Sequence, residues 1–275
     1  MQRRITARPT FPALLLVALA ASLLAVPQLF ADEWSKTYAI SGKPDLRIET
    51  SDANIRVTTW DQNTIAAKVV TTRYKISADE IRIDEHQNGD VVEIQVRFPH
   101  HFFNTNSQWQ EHRVDVIIQM PREGKVDFRT GDGEIKLASF KGDMHLHTGD
   151  GSETLESVDG NLRAESGDGS IKASGRFDEL DLKAGDGHLD VRAAAGSSLN
   201  TGWRFETGDG SVTLAVPGDL AANVDLHTRD GHIDLDMPVT TEGREHDNGI
   251  RGKLNGGGSS LTIRTGDGSI HLGKS

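Results

Sequence analysis

A six-residue motif returns through the second half of the chain: TGDGEI at Thr130, TGDGSE at Thr148, SGDGSI at Ser166, AGDGHL at Ala184, TGDGSV at Thr207, TRDGHI at Thr228 and TGDGSI at Thr265. Its aspartates are Asp132, Asp150, Asp168, Asp186, Asp209, Asp230 and Asp267; the first four lie 18 residues apart, and the later gaps are 23, 21 and 37. A fixed period of this length means stacked copies of one supersecondary unit. Apolar residues alternate on both sides of the motif. Val126/Phe128, Met144/Leu146, Leu180/Leu182 and Trp203/Phe205 precede it, and Ile135/Leu137, Ile171/Ala173, Leu189/Val191 and Val212/Leu214 follow it. Glu153/Leu155 is the exception. Strict alternation reads as a strand with one buried face, so each copy is two short strands around a corner.

The regular return argues for parallel stacking of equivalent strands rather than a hairpin meander. The fold expected is all-β: a right-handed parallel β-helix or β-solenoid of about 18-residue coils, whose stability comes from neighbour stacking. Outward positions agree. One column runs Arg163, Asp181, Arg204, Asp225, and the next Glu165, Lys183, Glu206, His227, Arg264, so that opposite charges meet between copies. The corner glycines are Gly131, Gly133, Gly149, Gly151, Gly167, Gly169, Gly185, Gly187, Gly208, Gly210, Gly231, Gly266 and Gly268, with Arg229 the one departure. They are expected to supply positive φ, with the aspartate bonding the backbone nearby.

Residues 1–31 read as an export signal: Arg3, Arg4 and Arg8, an apolar run from Phe11 to Val26, and Leu29-Phe30-Ala31 as a cleavage site before Asp32. An uncleaved anchor is the alternative, although the run is short for a membrane span. Removing this segment takes the net charge from −11 to −14, because three arginines and no acid leave. An acidic chain is a poor partner for nucleic acid. There is no cysteine, hence no disulfide or thiolate metal site. Residues 32–125 form a β-rich segment expected to start and cap the solenoid. In it Leu46–Val57 is a degenerate copy with Ser51-Asp52-Ala53-Asn54 at the corner, and Asn88-Gly89 reads as a hairpin turn. Residues 126–275 are the repeat solenoid. Within it 239–259 is a surface loop or a degenerate coil, and Lys274 is the visible guard of the final edge.

The aspartate column is the sharpest chemical hypothesis. Stacked carboxylates about 4.8 Å apart repel by roughly 1 kcal/mol per neighbour in water, which calcium between copies would relieve. The repeats-in-toxin β-roll does this on a coil of similar length. There, however, the Asp stands two residues before the core position and the motif lies on both sides of each coil. Solvated aspartates are the plainer reading. His145, His147, His188, His227, His232 and His271 occupy outward positions without forming one consistent metal cluster. Asp181, Asp225, Arg163 and Arg204 could be cast as the acid and base of a carbohydrate-active enzyme, yet charge pairing already explains their order. No Gly-x-Ser-x-Gly or His-Glu-x-x-His motif occurs. The last eight residues match a phosphate-binding loop in letters only, because Ile270 and Leu272 are strand positions and no helix follows. Phe102, Phe103 and Trp109 in the loop from His100 to Gln110 are a candidate binding loop.

The opening copy LRIETSDANIRV, the Gly-Asp-Gly copies and the closing GKLNGGGSSLTIRTGDGSIHL together resemble a bacterial family of exported β-strand-repeat proteins of unknown function, whose members carry the provisional label of adhesin. The resemblance covers Leu46 to Leu272. It implies a β-helix-like fold, a place in the envelope or at the surface, and no catalytic residues; the expected partner is a protein or polysaccharide of the envelope or surface, and no cofactor is expected beyond the calcium weighed above.

Overall fold

A computed structural model describes residues 31–72, 74–98, 113–241 and 248–275, and these form strands and no helix. The N-terminal strands are β1 (Ala31–Ala39), β2 (Asp45–Thr50), β3 (Asn54–Trp60), β4 (Thr64–Thr72), β5 (Arg82–Asn88), β6 (Val91–Arg97) and β7 (Arg113–Pro121). Then come β8 (Glu123–Thr130), β9 (Ile135–Ala138), β10 (Lys141–Thr148), β11 (Glu153–Ser166), β12 (Ile171–Ala184), β13 (Leu189–Ala193), β14 (Trp203–Thr207) and β15 (Val212–Val216). The last are β16 (Ala222–Thr228), β17 (Ile233–Leu235), β18 (Val239–Thr241), β19 (Gly249–Leu254), β20 (Ser260–Thr265) and β21 (Ile270–Lys274).

Parallel pairing arranges them in two stacks. Before the corner the order is β6, β2, β8, β10, β11, β12, β14, β20, β16. After it the order is β7, β3, β9, β11, β12, β13, β15, β21, β17, with β11 and β12 long enough to serve both stacks. Met144 faces Leu162, Leu162 faces Leu180 and Ile171 faces Leu189, so the repeat in the sequence is the register of the sheet. Leu146, Ala164, Leu182, Phe205, Ile263 and Leu226 file along one interior row, all buried. Alternation therefore became a solenoid-like core between two stacks.

Chain order and stacking order part at both ends. The last copy, β20–β21, lies between β14–β15 and β16–β17 rather than outside them. The outward columns accordingly run Arg163, Asp181, Arg204, Thr262, Asp225 and Glu165, Lys183, Glu206, Arg264, His227, correcting the order expected from sequence. For residues 239–259 the expectation is a surface loop or a degenerate coil. Their described part holds β18 and β19, with β19 antiparallel on β16 and β18 antiparallel on β19, closing that edge. Lys274 thus guards no end. At the other end the first copy, β2–β3, lies inside a second one, β6–β7, which carries no Gly-Asp-Gly corner. Antiparallel β5 covers β6, and antiparallel β4 then β1 cover β7. The β5–β6 hairpin is present where expected, with Gly89 and Asp90 as its loop residues and Gly89 at φ 61.

The corner glycines do a different job from the one expected. None lies in the left-handed region. Instead, a Cβ on Gly151 would fall on the carbonyl oxygen of Gly133, and one on Gly169 on that of Gly151. The main chain of successive corners touches, and Gly149 N–H and Gly167 N–H donate to the carbonyls of Gly131 and Gly149 at 2.7 and 2.6 Å. Inside, hydroxyls finish the job: Thr148 donates to Gly151 C=O at 2.7 Å, Ser166 to the same carbonyl at 3.1 Å, and Thr265 to Gly210 C=O at 2.7 Å. The residue after each corner adds a second ladder, in which its side chain accepts from the next copy's backbone. Ser152 accepts from Ser170 N–H, Ser170 from His188 N–H, His188 Nδ1 from Ser211 N–H at 3.0 Å, and Ser211 from Ser269 N–H.

Close contact without positive φ makes a ranked prediction. Gly151→Ala should cost about 1–3 kcal/mol, the usual range for overpacking. Gly149→Ala should cost less, because its Cβ would stand 2.9 Å from the nearest carbonyl oxygen. Urea denaturation of both variants checks this, and equal costs would mean that the corner relaxes freely.

Candidate functional site

The outer side of the stack from β6 to β16 is a long, regular surface. Strand alternation puts every second residue of these strands on it. Its first column reads Glu93, Arg47, Asp127, His145, Arg163, Asp181, Arg204, and its second Gln95, Glu49, Arg129, His147, Glu165, Lys183, Glu206. Ion pairs run along and across the columns: Arg47–Glu93 at 3.0 Å, Arg129–Asp127 at 3.1 Å, Arg163–Glu165 at 3.1 Å and Arg163–Asp181 at 3.9 Å. Open grooves lie on this face, two of them among its paired charges. One is lined by Arg47, Glu93, Lys125, Asp127 and Arg129, the other by Asp127, Arg129, His145, His147, Arg163 and Glu165. His145 and His147 do point the same way, and His147 Nδ1 stands 3.8 Å from Glu165.

The two aspartates cast from sequence as an acid and base, Asp181 and Asp225, are not brought together on this face. They are separated by Arg204 and Thr262, three rung spacings or about 14 Å, whereas the carboxylates of a glycosidase stand about 5–9.5 Å apart. Asp225 is held instead by Arg251 at 3.4 Å and Arg264 at 3.3 Å.

The seven aspartates of the repeat stand in one exposed row along the corner edge, extended by Asp52 at the opening copy. Burial and then the charge of Asp132 push the Asp52 carboxyl above its usual range. Arg229, the residue that breaks the Gly-Asp-Gly pattern, reaches sideways to Asp267 with Nη2 at 2.6 Å. Each copy brings a single aspartate. Among the described residues no group of three or more His, Asp or Glu is placed to hold a metal ion. His188 and His232 sit in the post-corner row, and His271 stands 3.3 Å from Asp236. Phe102, Phe103 and Trp109 lie outside the described residues, as does the segment before Ala31. Among the described residues no helix is long and apolar enough to cross a membrane.

Two features were missed in the sequence. Arg176 is held by Asp159 at 2.5 Å and Asp178 at 2.7 Å, and lies 3.5 Å from Gly196 C=O, clamping the second bend of its coil. Glu153 is the stranger one. It occupies an interior row that otherwise reads Ile55, Ile135, Ile171, Leu189, Val212, Ile270, and it is fully buried. Its Oε2 has no hydrogen-bond partner, and its Oε1 is 3.5 Å from the Thr148 hydroxyl, whose hydrogen already goes to Gly151. Burial drives the carboxyl pKa well above the ordinary range, against a small opposing effect of Thr148. The protonated acid is the form that fits. The break in alternation at Glu153/Leu155 was its signal.

The family model described as Toastrack DUF4097 matches residues 44–200 and 161–273. No curated protein matches the chain. Among solved structures, a "putative cell adhesion protein" from Clostridium sporogenes ATCC 15579 is 16% identical, with 90% of this chain and 100% of that one covered at a TM-score of 0.43. A "putative adhesin" from Bacteroides fragilis NCTC 9343 is 11% identical (87% and 96% covered, TM-score 0.43). A "putative lipid binding protein" from Parabacteroides distasonis ATCC 8503 is 13% identical (89% and 95% covered, TM-score 0.41).

Glu153 makes stability depend on pH with a definite sign. The folded pKa is raised, so this group's contribution is complete below the unfolded value near 4.5 and declines as pH climbs toward the folded one. The slope in that window is at most about 1.4 kcal/mol per pH unit. Glu153→Gln should flatten it, and Glu153→Ile should add about 1–3 kcal/mol at neutral pH. Denaturation at a series of pH values is the measurement; identical profiles for all three proteins would refute the assignment.

Proposed function

The chain belongs to the Toastrack DUF4097 family, and from that premise we propose that it is a non-enzymatic, adhesin-like interaction protein of the cell envelope or cell surface. The observation that carries this reading is the outer face of the β6-to-β16 stack. It is long and regular, it alternates in charge from copy to copy, and its grooves are open and lined largely by charged and histidine side chains. A surface of this kind suits an extended partner read by charge, a protein or a polysaccharide of the envelope, more than a small substrate enclosed away from water. Nucleic acid is disfavoured by a net charge of −11. Residues 1–31 serve as the export signal, and the coils wind right-handed with about 18 residues each.

Calcium enters as the alternative reading, with Asp132, Asp150, Asp168, Asp186, Asp209, Asp230 and Asp267 supplying one carboxylate per copy to ions held between copies. The favouring observation is the single exposed row in which these carboxylates stack, one per copy. A ligand that binds only the folded chain raises its melting temperature.

The purified chain without residues 1–31 should bind isolated cell envelopes saturably, and more weakly as salt rises. The triple change Arg47→Gln, Arg129→Gln and Arg163→Gln should weaken that binding about tenfold while leaving melting close to wild type, since exposed ion pairs contribute roughly 0–1 kcal/mol each. Binding indifferent to the triple change, or turnover of any acidic polysaccharide in a panel, would overturn the proposal. A clear calcium-dependent rise in melting would favour the alternative.

A further inference from the structure

The two stacks have four ends, and three are closed in the same way. Antiparallel β5 closes the stack at β6, antiparallel β4 and β1 close the stack at β7, and antiparallel β19 with β18 closes the stack at β16. The fourth end is β17, whose one strand partner among the described residues is β21. The consequence shows in burial. In the row through Val212, Ile270 and Ile233, the first two are fully buried and Ile233 is partly exposed; in the row through Leu214, Leu272 and Leu235, the same holds for Leu235.

The main chain of β17 is open on that side too. Its bonds to β21 run through His232 C=O, which accepts from Ile270 N–H at 2.8 Å, and Asp236 N–H, which donates to Leu272 C=O at 2.9 Å. Parallel pairing alternates, so the N–H and C=O groups of Ile233 and Leu235 face away from β21. Unpaired strand edges of this kind are templates for another strand. Around this edge the exposed acids are Asp230, Asp234 and Asp236, with His232 between them, while Arg229 beside Asp230 is turned to Asp267.

We propose that β17 is a docking edge for an extended segment of a partner protein, which adds as an antiparallel strand with apolar side chains over Ile233 and Leu235 and lysine or arginine opposite Asp234. Strand addition supplies affinity through the main chain and selectivity through alternate side chains. A second copy of this chain is the wrong occupant. Pairing β17 with itself sets Asp234 near Asp234, and pairing it with the free edge of β1 brings up Glu33, which shares the outer face there with Ser35 and Thr37. This edge is separate from the charged face proposed above, so either site can fail without the other.

The probe is a short fluorescent peptide of alternating valine and lysine, tested on the folded chain. Saturable binding is expected, together with slowed hydrogen exchange at the amides of Ile233 and Leu235. Methylating alternate peptide nitrogens should abolish binding, because charge is kept and pairing lost. Leu235→Pro should abolish it as well, since it removes a donor that β21 does not use. Asp234→Lys, which leaves the backbone unchanged, should weaken binding about tenfold. Absence of binding, equal binding of the methylated peptide, or an edge already occupied in a dimer that Asp234→Lys stabilises would each overturn the proposal.

Discussion

Each coil must let the next lie about 4.8 Å away, and the corner is where that spacing is hardest to meet. A strand can pleat its side chains to either face, but a bend turns some Cβ directions along the stacking axis. At the second glycine of each corner, the site a Cβ would take already holds the preceding copy's carbonyl oxygen. Glycine is imposed there by the neighbour and not by the bend. The rest of the motif follows from the same constraint. Aspartate points outward, because a charge has no place inside. The small hydroxyl residue before it points inward, where it is buried and must donate; Thr148, Ser166, Thr207 and Thr265 all bond corner carbonyls.

The ends of the stack show a second economy. A terminal strand bonded on one side frays. Here the opening and closing copies are each drawn one place inward and gain a neighbour on both faces. The copies left outermost, β6–β7 and β16–β17, come from within the chain and are tethered at both ends. Releasing one of them opens a loop rather than a free tail, so less conformational freedom is gained. The antiparallel caps act on top of this arrangement, and among the described residues β17 is the one stack end they do not reach.

The interior rows were legible because burial and stacking leave the same mark on every copy; Leu146, Leu182 and Leu226 could be assigned to one row from alternation alone. Stacking order was not legible. Outward charges are compatible with Arg264 on either side of His227, so the column rule could not choose. The useful signal was the 37-residue gap before Asp267, about twice the coil length and enough for a coil's worth of extra strands. Those became β18 and β19. The copy formed by β6 and β7 escaped notice for a related reason: no Gly-Asp-Gly occurs in the sequence between its strands, so alternation at Val92/Ile94 and Val116/Ile118 had no motif to anchor it. The corner glycines were found in the right places for the wrong reason, since sequence shows that a side chain is absent but not which neighbour excludes it. The aspartate row and the charged face were likewise visible as patterns, while the 14 Å that separates Asp181 from Asp225 needed the displaced copy to be known.

Glu153 follows from treating the molecule as a sum of neighbouring interfaces. An unpartnered polar group in an apolar row costs on the order of 1–3 kcal/mol, and ionising it there costs more. In a globular core that penalty would be shared by the whole fold. In a stack it falls on two interfaces, the one with Ile135 and the one with Ile171. These lie near the middle, with intact apolar rows on both sides. Loss of the Glu153 proton would therefore weaken the stack at one internal plane, leaving an N-terminal block through β9 and a C-terminal block from β12 each with its own continuous core. A carboxyl at either end would only fray the edge, whereas at this position it sets where the solenoid parts.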